Sequence, residues 1–158
     1  MIFKIISGLK YLQLKNILHL ALKPSNILYC ELTNTWKISD FGASVKLSEN
    51  STKEQDILEP TTPTSPTQIF ISCTVPFSSP EVFIEQSPLN KMDIYSLGCI
   101  IWCLFEWSNV LYPGIGLEQI IYFVCKTNNR PQFKHTSIRE QILCQKLWCK
   151  NPDKKPTI

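Results

Sequence analysis

Two short segments near the start of the sequence contain residue types that could act on a charged substrate. Residues 19–26 read H-L-A-L-K-P-S-N, which includes His19, Lys23 and Asn26, and a D-F-G tripeptide begins at Asp40. A carboxylate and an amide oxygen are ligands that magnesium accepts, and a lysine can place positive charge beside a phosphate. Structural roles stay open, because Asn26 could close a turn and Asp40 could cap a backbone bend.

Three further motifs follow these segments in order. Residues 73–81 read C-T-V-P-F-S-S-P-E, residues 93–98 read D-I-Y-S-L-G, and the tail from Trp148 to Thr157 ends in P-T. The whole series resembles the larger, C-terminal lobe of eukaryotic protein kinases, in which a catalytic loop H-R-D-L-x-x-x-N precedes D-F-G. One D-F-G is a weak signal, but all the motifs in this order are specific, and they span the chain.

Details of these motifs favour a subfamily. Leu18-His19-Leu20, residues 37–42 and the N-R-P at 129–131 are similar to Mos-type serine/threonine kinases, and Lys23 is typical of serine/threonine rather than tyrosine kinases. The resemblance therefore implies phosphoryl transfer from ATP to protein substrates.

The resemblance also implies roles for single residues. Asp40 and Asn26 are the expected magnesium ligands, and Lys23 is the expected cation beside the transferred phosphate. These three are the expected catalytic and cofactor-binding residues, with Mg and ATP as cofactors. His19 is expected to pack beside the loop and Asp93 to accept hydrogen bonds from the loop backbone.

A conserved ion pair of the family has a changed partner here. The family pairs the glutamate at position 81 with an arginine, and Lys155 stands at the arginine position. Because lysine cannot form a bidentate contact, we expect the Glu81–Lys155 pair to be structural but weaker or wetter.

The catalytic loop departs from the family at two positions. Ala21 stands where the family has the aspartate that orients the substrate hydroxyl and accepts its proton, and a methyl group can do neither. Leu20 replaces the arginine that binds a phosphate on the activation loop. The sequence contains no G-x-G-x-x-G and no V-A-I-K, so the resemblance includes no N-terminal lobe, and we expect binding of Mg and ATP to be weak or absent.

Composition excludes some partners. The net charge is +3 and the 16 lysines and arginines are scattered, so we expect no nucleic-acid binding. The most apolar stretch, 94–105, is shorter than the roughly 18 residues of a membrane span. Seven cysteines in no metal-binding pattern, with no signal peptide, predict a cytoplasmic protein with reduced thiols.

Hydrophobic periodicity indicates the elements that position these residues. We expect an α+β, mostly α-helical fold with one small hairpin and a buried central helix at about 91–107. The predicted helices are 3–14, 116–126 and 137–150, and the predicted strands are 27–30 and 36–39. The predicted unit is a partial protein kinase domain over 1–158, with a catalytic loop at 17–26 and an activation segment at 40–81.

The segment 48–68 has a different composition. It contains the stretch P-T-T-P-T-S-P-T at 60–67, which cannot form a helix, so we expect a mobile loop. Thr62 and Ser65 each precede a proline and could be phosphorylated, although the composition favours a solvated linker over phosphorylation sites.

Three functions are compatible with the sequence. The first is a catalytically inactive kinase-like module that binds partner proteins. The second is an active serine/threonine kinase, if a longer gene product supplies the N-terminal lobe. The third is no function, as for a decayed gene copy.

Overall fold

The fold is mostly helical, as the sequence predicts, and it contains two small sheets rather than the single predicted hairpin. The computed structural model describes residues 1–47, 74–84 and 91–158. The predictions for 48–68, Thr62, Ser65 and Cys73 lie outside these residues. The described helices are α1 Ile2–Leu14, α2 Pro80–Ile84, α3 Met92–Phe105, α4 Leu117–Tyr122 and α5 Ile138–Leu147. Short 3-10 turns lie at Pro24–Asn26, Glu31–Thr33, Val75–Phe77 and Pro152–Lys154.

Helix α3 forms the centre of the core. Twelve of its residues, Met92 to Cys103, are buried, because its sequence is apolar on nearly every side. It packs closely against α5 at Gly98, where an added Cβ would lie 2.9 Å from the Cβ of Leu147. Helix α1 contributes Ile5, Leu9 and Leu12 to the same core.

The first sheet is the predicted hairpin. Strands β2, Ile27–Cys30, and β3, Thr35–Ile38, pair in antiparallel register, with Ile27 opposite Ile38. Asn34 closes the connection in the left-handed conformation at φ 46°, which asparagine adopts more readily than most residues.

A second, two-stranded ladder was not anticipated from the sequence. Strands β1, Ile17–Leu18, and β4, Val45–Lys46, pair antiparallel, and the Leu47 N–H donates to the Asn16 carbonyl at 2.7 Å. Each strand is only two residues long, too short for a hydrophobic period to reveal. The ladder closes residues 19–44 into one loop system.

The C-terminal elements are tied by specific caps. Ser137 and Glu140 form a reciprocal capping box at the start of α5.

Helix α4 is shorter than the predicted 116–126, because the chain continues as a single π turn at Phe123–Thr127 and leaves it through Asn128 at φ 57°. Among the described helices, none is both long and apolar enough to cross a membrane.

Candidate functional site

The loop at 19–26 is held by a carboxylate that lies 73 and 74 residues further along the chain. Asp93, at the start of α3, accepts the His19 N–H at 2.7 Å and the Leu20 N–H at 2.9 Å, one on each oxygen. Its side chain is buried, and burial raises the pKa of the Asp93 carboxyl while the two backbone donors oppose that rise. Asp93 therefore holds the backbone of the loop at its first two residues.

His19 is packed inside the loop. Its ring is buried, with Nε2 at 3.0 Å from the Ser39 carbonyl oxygen and Nδ1 accepting the Ala21 N–H at 3.3 Å. A carbonyl can only accept, so Nε2 carries the proton, and Nδ1 must be unprotonated to accept from Ala21. The ring also packs against Phe41, with centroids 4.9 Å apart. His19 therefore has no free nitrogen with which to accept a substrate proton.

Asn26 and Asp40 are brought together from two separate motifs. The Asn26 Nδ2 donates to the Ala21 carbonyl at 2.8 Å and to Asp40 Oδ2 at 3.3 Å. Both amide hydrogens are then used, which leaves Asn26 Oδ1 as an acceptor without a partner among the described residues. Asp40 is exposed, at φ 65°, a conformation that costs energy for a residue other than glycine.

Ser39 links this pair to the hairpin and was not recognised as a site residue from the sequence. Its N–H and Oγ both donate to the Asn26 carbonyl, at 2.9 and 3.0 Å. Its own carbonyl receives His19. Its position just before Asp40 was the only available signal.

Ala21 lies at the centre of the loop. It is buried, and its N–H and carbonyl are bound by His19 and Asn26, respectively. The backbone is therefore held on both sides, while the side chain contributes only a methyl group. Two carboxylates contact the loop in the described residues, and both are engaged by its other residues: Asp93 by the His19 and Leu20 N–H groups, and Asp40 by Asn26.

Lys23 is not joined to the other candidate residues by a direct contact. It is half-buried and its backbone is extended, at φ −158°. Its side chain makes no hydrogen bond or ion pair within the described part of the chain, so its ammonium group is available to a ligand.

The arrangement offers oxygen ligands and a positive charge. Asn26 Oδ1 and an Asp40 carboxylate oxygen are hard donors of the kind that Mg²⁺ prefers, so the residues present fit a magnesium ion that takes its other ligands from water or phosphate. No group of three or more His, Cys, Asp or Glu residues that could hold a metal occurs in the ranges that the structure describes.

The expected Glu81–Lys155 ion pair is present, and of the two alternatives expected for it, weaker or wetter, the second does not apply. Lys155 Nζ lies 2.6 Å from Glu81 Oε1, and the exposed fractions of the two side chains are 0% and 4%, so the pair is dry rather than wetter. It is also monodentate, because Glu81 Oε2 is buried without a hydrogen-bond partner among the described residues. Burial lowers the pKa of Lys155, and the contact with Glu81 opposes that shift.

Comparison with known proteins agrees with the motif pattern. A sequence profile of the protein kinase domain matches residues 1–158. The serine/threonine-protein kinase nekl-2 of Caenorhabditis elegans is 30% identical over 98% of the chain, and mitogen-activated protein kinase kinase kinase 13-A of Xenopus laevis is 31% identical over 97%. The chain spans 39% and 14% of the lengths of these two proteins.

Proposed function

Because the chain belongs to the protein kinase domain family, we propose that it is a kinase-like module of the C-terminal-lobe type that transfers no phosphate and acts by binding other proteins. The observation that carries this proposal is that Ala21, which has no carboxylate, lies in a loop whose backbone is held in place. The loop backbone on both sides of it is hydrogen-bonded by Asp93, His19 and Asn26, so the geometry of the loop is retained without its general base. The proposed limits are 17–26 for the loop and 40–81 for the activation segment.

Residual binding of Mg and ATP is supported only in part. Asn26 and Asp40 would hold the ion, Lys23 would face the phosphates, and a bound magnesium would neutralise charge on the phosphate oxygens. Because most of the ion's ligands would have to come from the nucleotide or water, we expect weak binding by these residues alone.

A second function follows from the same three residues. Asn26, Asp40 and Lys23 are retained, and both relatives named above are called protein kinases. If a longer product supplies a glycine-rich loop and its lysine, the chain would be the substrate-side part of a serine/threonine kinase with an altered base. The Mos-type likeness belongs to this alternative and stays a prediction.

Labelled-phosphate transfer from ATP to a generic serine/threonine protein substrate tests the proposal. We expect no transfer by the 158-residue chain and none after Ala21→Asp, because no glycine-rich loop is present to cover the phosphates. The Asp40→Asn variant detects contaminating kinases, since their activity would survive it. Transfer by the unmodified chain that disappears in Asp40→Asn would overturn the proposal.

A fusion to the N-terminal lobe of the nekl-2 relative separates the two functions. General base catalysis contributes about 10²–10⁴-fold, so Ala21→Asp in the fusion should raise transfer by that order. Equal activity of the fusion with and without Ala21→Asp would favour the active-kinase alternative.

A further inference from the structure

A cleft on the far part of the chain is independent of the candidate site. It lies between the C-terminal end of α3, the turn at 111–115 and the segment 129–135, and it shares no residue with the loop at 19–26 or with Asp40. Its volume of about 560 Å³ is within the roughly 300–1,000 Å³ that small-molecule sites occupy.

The walls of the cleft are mainly apolar and firmly placed. Trp102 and Leu111 are buried side chains of the main core, and Trp102 is fixed by its indole N–H, which donates to the Gln132 carbonyl at 3.1 Å. Ile115 and Phe123 add further apolar surface to the lining and are half-buried. These walls suit a flat or aliphatic body a few carbons across.

Arg130, which also lines the cleft, carries a positive charge without a counter-ion. Its Nε and Nη1 donate to the neutral carbonyls of Trp148, Val124 and Asn129, at 3.1, 3.4 and 2.9 Å. No carboxylate lies within ion-pair distance of it in the described residues, and its Nη2 is buried without a hydrogen-bond partner there. The Tyr95 ring, 5.3 Å from Cζ, offers only a weak electrostatic partner.

The remaining charges of the cleft reinforce this imbalance. Glu106 is the one carboxylate in the lining, and it is already engaged by the N–H groups of Lys134, His135 and Thr136 and by the Thr136 hydroxyl. Lys134 and His135 are exposed at the rim. A guanidinium cannot lose its proton, and the half-buried Arg130 has no carboxylate partner in the described residues while Lys134 adds a second positive charge, so the cleft favours an anionic group.

We propose that this cleft binds a small amphipathic carboxylate, with the carboxylate toward Arg130 and Lys134 and an apolar body against Trp102, Leu111 and Phe123. The site is a binding site only and takes no part in phosphoryl transfer.

A pair of isosteric probes tests the role of charge. Titration of the ¹⁵N-labelled chain with 1-naphthaleneacetate should shift the Trp102 indole N–H and the backbone amides of 129–135. The neutral 1-naphthaleneacetamide has the same ring and should bind about fivefold more weakly or worse, because it lacks the charge. Equal affinity of the two probes, or shifts confined to other parts of the chain, would overturn the proposal.

Two variants locate the site and leave Arg130, with its hydrogen bonds to three backbone carbonyls, unchanged. Lys134→Glu changes an exposed side chain, and should weaken the acid by about fivefold or more and leave the amide unchanged. Ile115→Trp should fill the cleft and abolish both shifts. If Lys134→Glu affects neither probe, or if Ile115→Trp remains folded and still binds the acid as the unmodified chain does, the assignment is wrong.

Discussion

Two buried carboxylates each connect distant motifs of the chain, and they do so by different chemistry. Asp93 connects α3 to the loop at 19–26, and Glu81 connects α2 to the C-terminal tail. Asp93 uses both oxygens to accept N–H groups of the backbone, whereas Glu81 uses one oxygen to bind the side chain of Lys155 and leaves the other without a partner. Each carboxylate joins positions 73 or 74 residues apart along the chain.

The difference shows which part of the fold tolerates substitution. Every residue at positions 19 and 20 except proline has the N–H that Asp93 requires, so Leu20 can replace an arginine without loss of these hydrogen bonds. Glu81 depends on the identity of the side chain at 155, so lysine in place of arginine leaves one oxygen unsatisfied. The same reasoning explains why the loop keeps its hydrogen bonds with alanine at position 21, since His19 and Asn26 bind only the Ala21 backbone.

The largest effect should follow the loss of one partner of the Glu81 pair. Lys155→Met leaves a buried carboxylate without its cation and should lower the free energy of unfolding by about 3–5 kcal/mol, measured by urea denaturation. The double variant Lys155→Met with Glu81→Gln is the control, and should cost less because no buried charge remains.

Lys155→Arg tests the same pair in the other direction. A guanidinium can reach both carboxylate oxygens, so we expect a gain of about 1 kcal/mol. An unchanged free energy of unfolding in Lys155→Met would mean that the pair contributes nothing to stability. A lower free energy of unfolding in Lys155→Arg would mean that the unsatisfied Glu81 oxygen is not what limits the pair.

A somewhat smaller effect is expected at Asp93. Asp93→Ala leaves two N–H groups of the loop without acceptors and should cost about 2–4 kcal/mol in the free energy of unfolding. Hydrogen exchange should accelerate at the amides of His19 and Leu20 more than elsewhere. Asp153→Ala changes an exposed aspartate and should stay within about 0.5 kcal/mol. Unchanged exchange at both loop amides would show that Asp93 does not hold the loop.

A third carboxylate, Glu106, extends the comparison, because its contribution to stability should depend on pH. Burial opposes its ionisation, but hydrogen bonds from the Thr136 hydroxyl and from the N–H groups of Lys134, His135 and Thr136 lower the pKa of Glu106 from 4.5 to about 2. A lowered pKa in the folded state stabilises the fold above the unfolded value, and this contribution is lost as the pH falls from about 4.5 toward 2.

The stability advantage of the unmodified chain over Glu106→Gln should therefore shrink between pH 5 and pH 3, with the urea midpoint as the measure. Asp93→Asn is the contrast, because burial raises the pKa of Asp93, so its ionisation does not make the fold sensitive to acid in this way. An advantage that stays constant with pH would contradict the lowered pKa of Glu106.

The sequence by itself determined the local elements and the candidate residues. The apolar run at 94–105 predicts the buried helix α3, the short apolar run at 27–30 predicts β2, and the motif order leads to Asn26, Asp40 and Asp93. These features depend on short-range periodicity and on residue type, both of which can be read along the chain.

Only the tertiary structure decided how distant residues meet. Several contacts join residues that are separated in sequence: the β1–β4 ladder, the contact of Ser39 with both His19 and Asn26, the dry and monodentate Glu81–Lys155 pair, and the hydrogen bond from Arg130 to the Trp148 carbonyl. Periodicity reports which face of an element is buried, but it does not report which partner covers that face. Those partners follow from how the helices and strands pack around α3, where a shift of one side chain changes whether a buried polar atom is satisfied.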